Sequence, residues 1–179
     1  MWALVEDSKI SKVYNKPTQL TIGDVKYPSN IHNLWSEAEL KKIGVYLVVT
    51  DNTNYKDPKY YINTNQSFAF GSVKVTATYG TATAKDLDTL KTDHCTAIDN
   101  QAYSLLQPND WMVVRNAESS KAIPSDWLDY RVNVRSTATD MKTKINAVAD
   151  VDALAALYVY NDATPPVRPL GDWPTEPTS

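Results

Sequence analysis

Residues Ser72–Leu106 read SVKVTATYGTATAKDLDTLKTDHCTAIDNQAYSLL, and the fold class turns on them. The first eight alternate, with Val73, Val75 and Ala77 set against Lys74, Thr76 and Thr78. That period of two belongs to a strand over Ser72–Tyr79 with one wet face. Gly80 closes it. From Thr81 to Leu106 there is no proline or glycine, and Leu87, Leu90, His94, Ile98, Ala102 and Leu105 recur at helical spacing. Asp86, Asp88, Asp93 and Asp99 take the other side. The spacing predicts one helix of about six turns. Its narrow apolar stripe suits a helical hairpin or a coiled-coil-like packing, including a homo-oligomer formed through residues 81–106.

Everything before this switch is β-rich. Trp2–Glu6 and Ile10–Tyr14 flank an Asp7-Ser8 turn, and Gln19–Ile22 and Val25–Tyr27 flank Gly23-Asp24, so two hairpins are expected. Ser36-Glu37-Ala38-Glu39 is a capping box that opens a short helix over 36–43, and Gly44 stops it. Trp35, just before the cap, is placed to pack on Leu40. Val45–Thr50, Lys59–Asn63 and Ser67–Phe70 supply further strands.

Everything after it is helical and then extended. Asp110 is expected to cap a helix over Trp111–Ser119, and Ser125 to cap another over Asp126–Ser136. Ala138–Ala149 forms a further helical run, and Val151–Tyr160 continues it or makes a short helix of its own. The end holds Pro165, Pro166, Pro169, Pro174 and Pro177, with Trp173 as its only large aromatic. Such a tail is extended, and when ordered it lies in a groove of its own chain or of a partner. The expected class is therefore α+β: an antiparallel β-rich module over 1–80, a helical region over 81–160 and an extended tail over 161–179.

Composition narrows the function. The chain has 179 residues, 42% of them hydrophobic and 22% charged, which is ordinary for a globular protein. Its net charge of −3 is small and no basic block marks a nucleic-acid face. No run approaches the roughly 20 apolar residues that span a bilayer, so no membrane partner is expected. The N-terminal MWALVEDSK has neither a basic nor an apolar signal region, so no signal peptide is expected. Cys95 is the only cysteine and His32 and His94 the only histidines, too few and scattered for zinc. The five glycines are isolated, so no phosphate-cradling loop forms, and no nucleophile elbow is present. His94 and Cys95 are neighbours on one helix and point about 100° apart, which rules out a nucleophile–base pair between them. No cofactor, no metal and no enzymatic activity are expected.

The segment Gln101–Arg135 carries a different kind of signal. Trp111 and Trp127 each sit in the first turn of an expected helix, and Arg131 and Arg135 fall four apart on one face. Asp110, Asp126 and Asp129 are available to pair with them. Trp111, Trp127 and Tyr130 read either as the core of a helical hairpin or as part of a docking surface, since tryptophan, tyrosine and arginine are enriched at binding hot spots. Leu105-Leu106, Pro108-Asn109-Asp110-Trp111, Arg115, Ile123-Pro124, Trp127, Tyr130-Arg131 and Arg135 together resemble the C-terminal motif of phage tail assembly chaperones and tail-fibre assembly proteins. Asn109 stands where threonine is common in that motif, and the Ala117–Ala122 loop is longer than in compact members. Trp35-Ser36, Glu39-Leu40 and Ile43-Gly44, with Trp173-Pro174 at the end, are similar to proteins of tail-gene clusters in marine and cyanobacterial phages.

The resemblance implies a non-enzymatic bacteriophage protein that binds a tail or tail-fibre structural protein in the host cytoplasm during assembly. The rival expectation is a permanent part of the virion tail, such as a fibre, neck, baseplate or decoration protein. The candidate protein-binding residues are Trp111, Arg115, Trp127, Tyr130, Arg131, Arg135 and Trp173.

Overall fold

The computed structural model describes residues 1–178, so Ser179, the last residue of the expected tail, lies outside the described residues. The fold is α+β and divides into two compact units, Met1–Thr83 and a second from Ala84 onward.

In the first unit, β1 (Trp2–Glu6) and β2 (Lys9–Tyr14) form the expected hairpin. Asp7 and Ser8 both take positive φ, 49° and 63°, which matches the twist of the flanking strands. A second hairpin pairs β3 (Leu20–Ile22) with β4 (Val25–Tyr27). A four-residue helix follows, α1 (Ile31–Leu34), which the sequence reading missed because it is too short to show a period. Helix α2 (Glu37–Lys42) carries the full capping box on Ser36 and Glu39. Strands β5 (Val45–Asp51), β6 (Tyr61–Ile62), β7 (Gln66–Phe70) and β8 (Val75–Tyr79) follow, and then a two-residue strand β9 (Thr83–Ala84), which falls where the sequence reading expected helix.

The main sheet runs in the order β2-β1-β5-β8-β7. It is antiparallel except at its centre, where β5 and β8 run parallel, Val48 opposite Val75. The outer strands β2 and β7 approach each other, so the sheet curls. Alternation then builds two cores. Ala3, Val48, Val75 and Ala77 gather Val5, Val13, Phe68 and Phe70 on one face. Leu4 and Val45 point to the other, where Leu20, Ile31 and Leu40 cover them with Trp35 packed alongside. Gly44 links α2 to β5 at φ +78°, where a Cβ would stand 2.6 Å from the carbonyl oxygen of Val5. Only glycine fits that approach without strain. Strand β8 is shorter than the expected Ser72–Tyr79, because Gly71–Lys74 forms the β7–β8 turn, with Ser72 at φ 62°.

In the second unit the long helix α3 (Leu87–Leu106) starts later than Thr81. Asp86 caps it, accepting from the Thr89 amide at 2.8 Å. After a 3-10 turn at Gln107–Asn109 comes α4 (Asp110–Ser119), which ends at a left-handed Ser120. Neither expected cap operates there: the cap positions are Asn109 for α4 and Pro124 for α5, without side-chain bonds. Helix α5 (Ser125–Ala147) is continuous through the expected break at Ser136–Ala138. Its hydroxyls bond back to its own carbonyls, Ser136 to Asn133, Thr139 to Arg135 and Thr143 to Thr139, so polar residues do not interrupt it. Helix α6 (Val151–Ala156) stands alone behind an Asp150 cap.

Helices α3 and α5 pack as an antiparallel hairpin. Leu90, His94, Ile98 and Ala102 are buried on α3, and Tyr130, Val134, Ala138, Met141 and Ile145 on α5. Lys142 meets Asp99 at 2.6 Å and Lys91 reaches the Asn146 carbonyl at 3.1 Å across the pair. The α3 stripe considered above for a homo-oligomer therefore lies against α5 of the same chain. His94 is a packed stripe residue whose Nδ1 hydrogen-bonds the Tyr158 hydroxyl. No helix among the described residues is long and apolar enough to cross a membrane.

Candidate functional site

Helix α4 joins the two arms of the hairpin, and its attachment decides what the surface presents. Met112 is its one buried residue. Trp111 is 53% exposed; Val114, three residues on, is exposed near its side of the helix, and Val113 is exposed on another side. The reading of Trp111 as hairpin core is therefore corrected: a side chain that would cost several kcal/mol to leave bare lies in solvent. Arg115, one turn on, places its guanidinium 4.7 Å from the centre of the Trp111 ring. That is a cation–π contact, which holds the indole in one attitude without covering it.

The base of α4 is clamped by α5. Arg131 is buried, and its Nη1 donates to the Leu106 carbonyl at 3.0 Å while Nη2 donates to Asp110 Oδ1 at 2.7 Å. One guanidinium thus closes the C-terminus of α3 and grips the first residue of α4. Its charge suits the negative end of the α3 dipole. Asp110 serves as this partner and not as a cap. Asn109 Nδ2 and Arg115 Nε are shut off from solvent and find no acceptor among the described residues.

The remaining candidates scatter. Trp127 is half-buried and meets Tyr130 edge-on at 5.9 Å. Tyr130 is core, and burial first and the Glu176 carboxylate second push its hydroxyl pKa up. Arg135 bonds back to the Arg131 carbonyl at 3.2 Å within its own helix. Trp173 donates its indole N–H to Gln101 Oε1 on α3 at 2.9 Å. Of the seven candidates, Trp111 and Arg115 form one surface pair, Trp127 and Tyr130 one packed pair, and Arg131 a clamp.

Leu128 and Val132 were not singled out by the sequence reading. They are 49% and 55% exposed and four apart on α5, on the side away from Tyr130 and Val134. A helical phase taken from Val134 and Met141, rather than from the arginines, would have found them.

Among the described residues no three of His, Cys, Asp and Glu gather where they could hold a metal ion. No protein-family model matches the chain, and no curated protein or solved structure matches it with significance.

Proposed function

We propose that this chain is a non-enzymatic bacteriophage tail protein that binds a tail or tail-fibre structural protein while the tail assembles. The observation that carries the proposal is the state of α4: a ten-residue helix that buries only Met112 and leaves Trp111, Val113 and Val114 open. A helix of that length is marginal in water and gains its stability from packing. Tryptophan with an arginine stacked on it is the side-chain chemistry of binding hot spots. The residues that carry the resemblance to tail assembly chaperones, Asp110-Trp111, Arg115 and Tyr130-Arg131, are those that build and hold this face. The protein acts in the host cytoplasm, without cofactor, nucleic acid or membrane.

The division into two compact units favours a second reading, a permanent component of the virion tail that attaches by one unit and packs by the other. Quantitative mass spectrometry of purified virions separates the two. Absence from virions, with abundance in the infected cell, supports the assembly factor. Stoichiometric presence replaces it with the structural component.

A further inference from the structure

The chain has four arginines, at 115, 131, 135 and 168. Arg131 takes the Leu106 carbonyl and Asp110, Arg135 the Arg131 carbonyl, and Arg168 the Gly171 carbonyl and Asp172. Arg115 takes no oxygen among the described residues and keeps only its cation–π contact with Trp111. Acid is not scarce, since the second unit holds more carboxylates than cations. On α4 itself, Asp110 is held by Arg131, and Glu118 makes no ion pair with Arg115. Asp126 and Asp129 of α5 make none with it either. A guanidinium that has lost water on one side and gained no acceptor is kept at a cost. Its Nε is shut off from solvent, so a side-on grip through Nε is closed. The outer Nη1 and Nη2 are the pair that can receive two oxygens.

We infer that the α4 face receives an acidic side chain of its protein partner, whose carboxylate takes the Nη pair of Arg115 while an adjoining aliphatic residue lies on Trp111 and Val114. The identity of the partner rests on the tail-protein reading above; its chemistry rests on α4 alone. Charge complementarity favours this occupant. A carboxylate meets the guanidinium fork two oxygens to two nitrogens. Exposed apolar surface at Trp111 and Val114 adjoins the cation, so docking removes water from both, and the ion pair strengthens as water leaves. A phosphate group fits less well. It carries nearly two charges and is held by clustered cations or by the amides of a helix N-terminus. Arg115 is the only cation on α4 and lies in its middle, away from those amides.

The test is a titration of the full-length chain, read from the Trp111 indole N–H signal in nitrogen–proton spectra and assigned with Trp111→Phe. The probes are acetyl-Leu-Glu-Leu-amide, acetyl-Leu-Gln-Leu-amide and inorganic phosphate. The glutamate peptide is expected to shift the signal saturably and to bind about ten-fold more tightly than its glutamine match. That preference shrinks in about 0.5 M salt. Arg115→Gln abolishes it and Arg115→Lys keeps part. The peptide comparison and the salt series use the unaltered chain, so they hold even where a variant does not fold. Equal binding of the two peptides, tighter binding of phosphate, no shift with either peptide, or a preference that survives Arg115→Gln overturns the proposal. In pull-downs from phage-infected cells that express the chain, Arg115→Gln lowers recovery of a tail protein several-fold. Equal recovery overturns the carboxylate and leaves the tail partner standing. Carboxylate-dependent peptide binding with no tail protein recovered does the reverse.

Discussion

The Arg131 guanidinium meets the Asp110 carboxylate at 2.7 Å, with the arginine side chain 5% exposed and the aspartate 52% exposed. The pair is asymmetric. Solvent screens the aspartate, but the arginine has left water, and its stabilisation depends on its partners being present. Arg131→Met leaves the Leu106 carbonyl and Asp110 without this donor and lowers unfolding free energy by about 2 kcal/mol. Arg131→Lys recovers only part, because an ammonium does not reproduce the fork that reaches two acceptors. Denaturant melts of the three proteins check this. Hydrogen exchange locates the loss at α4 and the end of α3.

Trp111 and Tyr130 look alike in the sequence and differ in the structure. Trp111→Ala changes stability by less than about 1 kcal/mol, since the ring is half-exposed. Tyr130→Ala costs about 3 kcal/mol, since the ring is 4% exposed and its removal leaves a cavity. Thermal melts of the two variants decide whether α4 or α5 carries the core.

How much of this was legible is best seen from particular residues. The Ser36–Glu39 box, the first two hairpins and the α3 stripe follow from local chemistry, and local chemistry is in the sequence. The parallel β5–β8 junction was not legible, because Val45–Thr50 and Val73–Ala77 carry no mark of which strand lies beside them. The continuity of α5 was hidden because serine and threonine disfavour helix until their hydroxyls find carbonyls one turn back. For the candidate face, residue type suggested Trp111 and Arg115 but could not separate an exposed tryptophan from a buried one. The C-terminal tail was legible as extended chain. Its buried Leu170, whose amide donates to the Leu157 carbonyl and whose carbonyl accepts from Lys144, shows as an anchor only once those distant residues are placed around it.

Gly44→Ala tests the first unit. It forces a Cβ to 2.6 Å from the Val5 carbonyl oxygen and keeps a positive φ on a residue that resists it. The expected loss is about 2 kcal/mol or more, read as a lower denaturation midpoint. Gly23→Ala, also at positive φ but with open space around its Cβ, loses less.

Acid acts through three exposed carboxylates. Ser36 holds the Glu39 carboxyl below its ordinary value through its amide and hydroxyl. Thr53 does so for Asp51 and Thr89 for Asp86, through hydroxyl and then amide. A depressed folded-state pKa contributes stability above the unfolded value, and that contribution is lost as pH falls through the folded one. Stability therefore holds from neutrality down to about pH 4 and declines below it. Asp86→Asn, which keeps an acceptor for the Thr89 amide, flattens the decline without abolishing the α3 cap. Melts on a descending pH series measure both slopes.

The central claim is that the open face of α4 binds a tail protein. Tagged chain isolated from phage-infected cells that express it, with the bound proteins identified by mass spectrometry, tests this proposal most directly. The account predicts a tail or tail-fibre structural protein in near-stoichiometric amount, lost with folded Trp111→Asp and retained with Leu34→Asp, an exposed apolar position outside α4. Recovery of no tail protein, or equal recovery with Trp111→Asp, contradicts it.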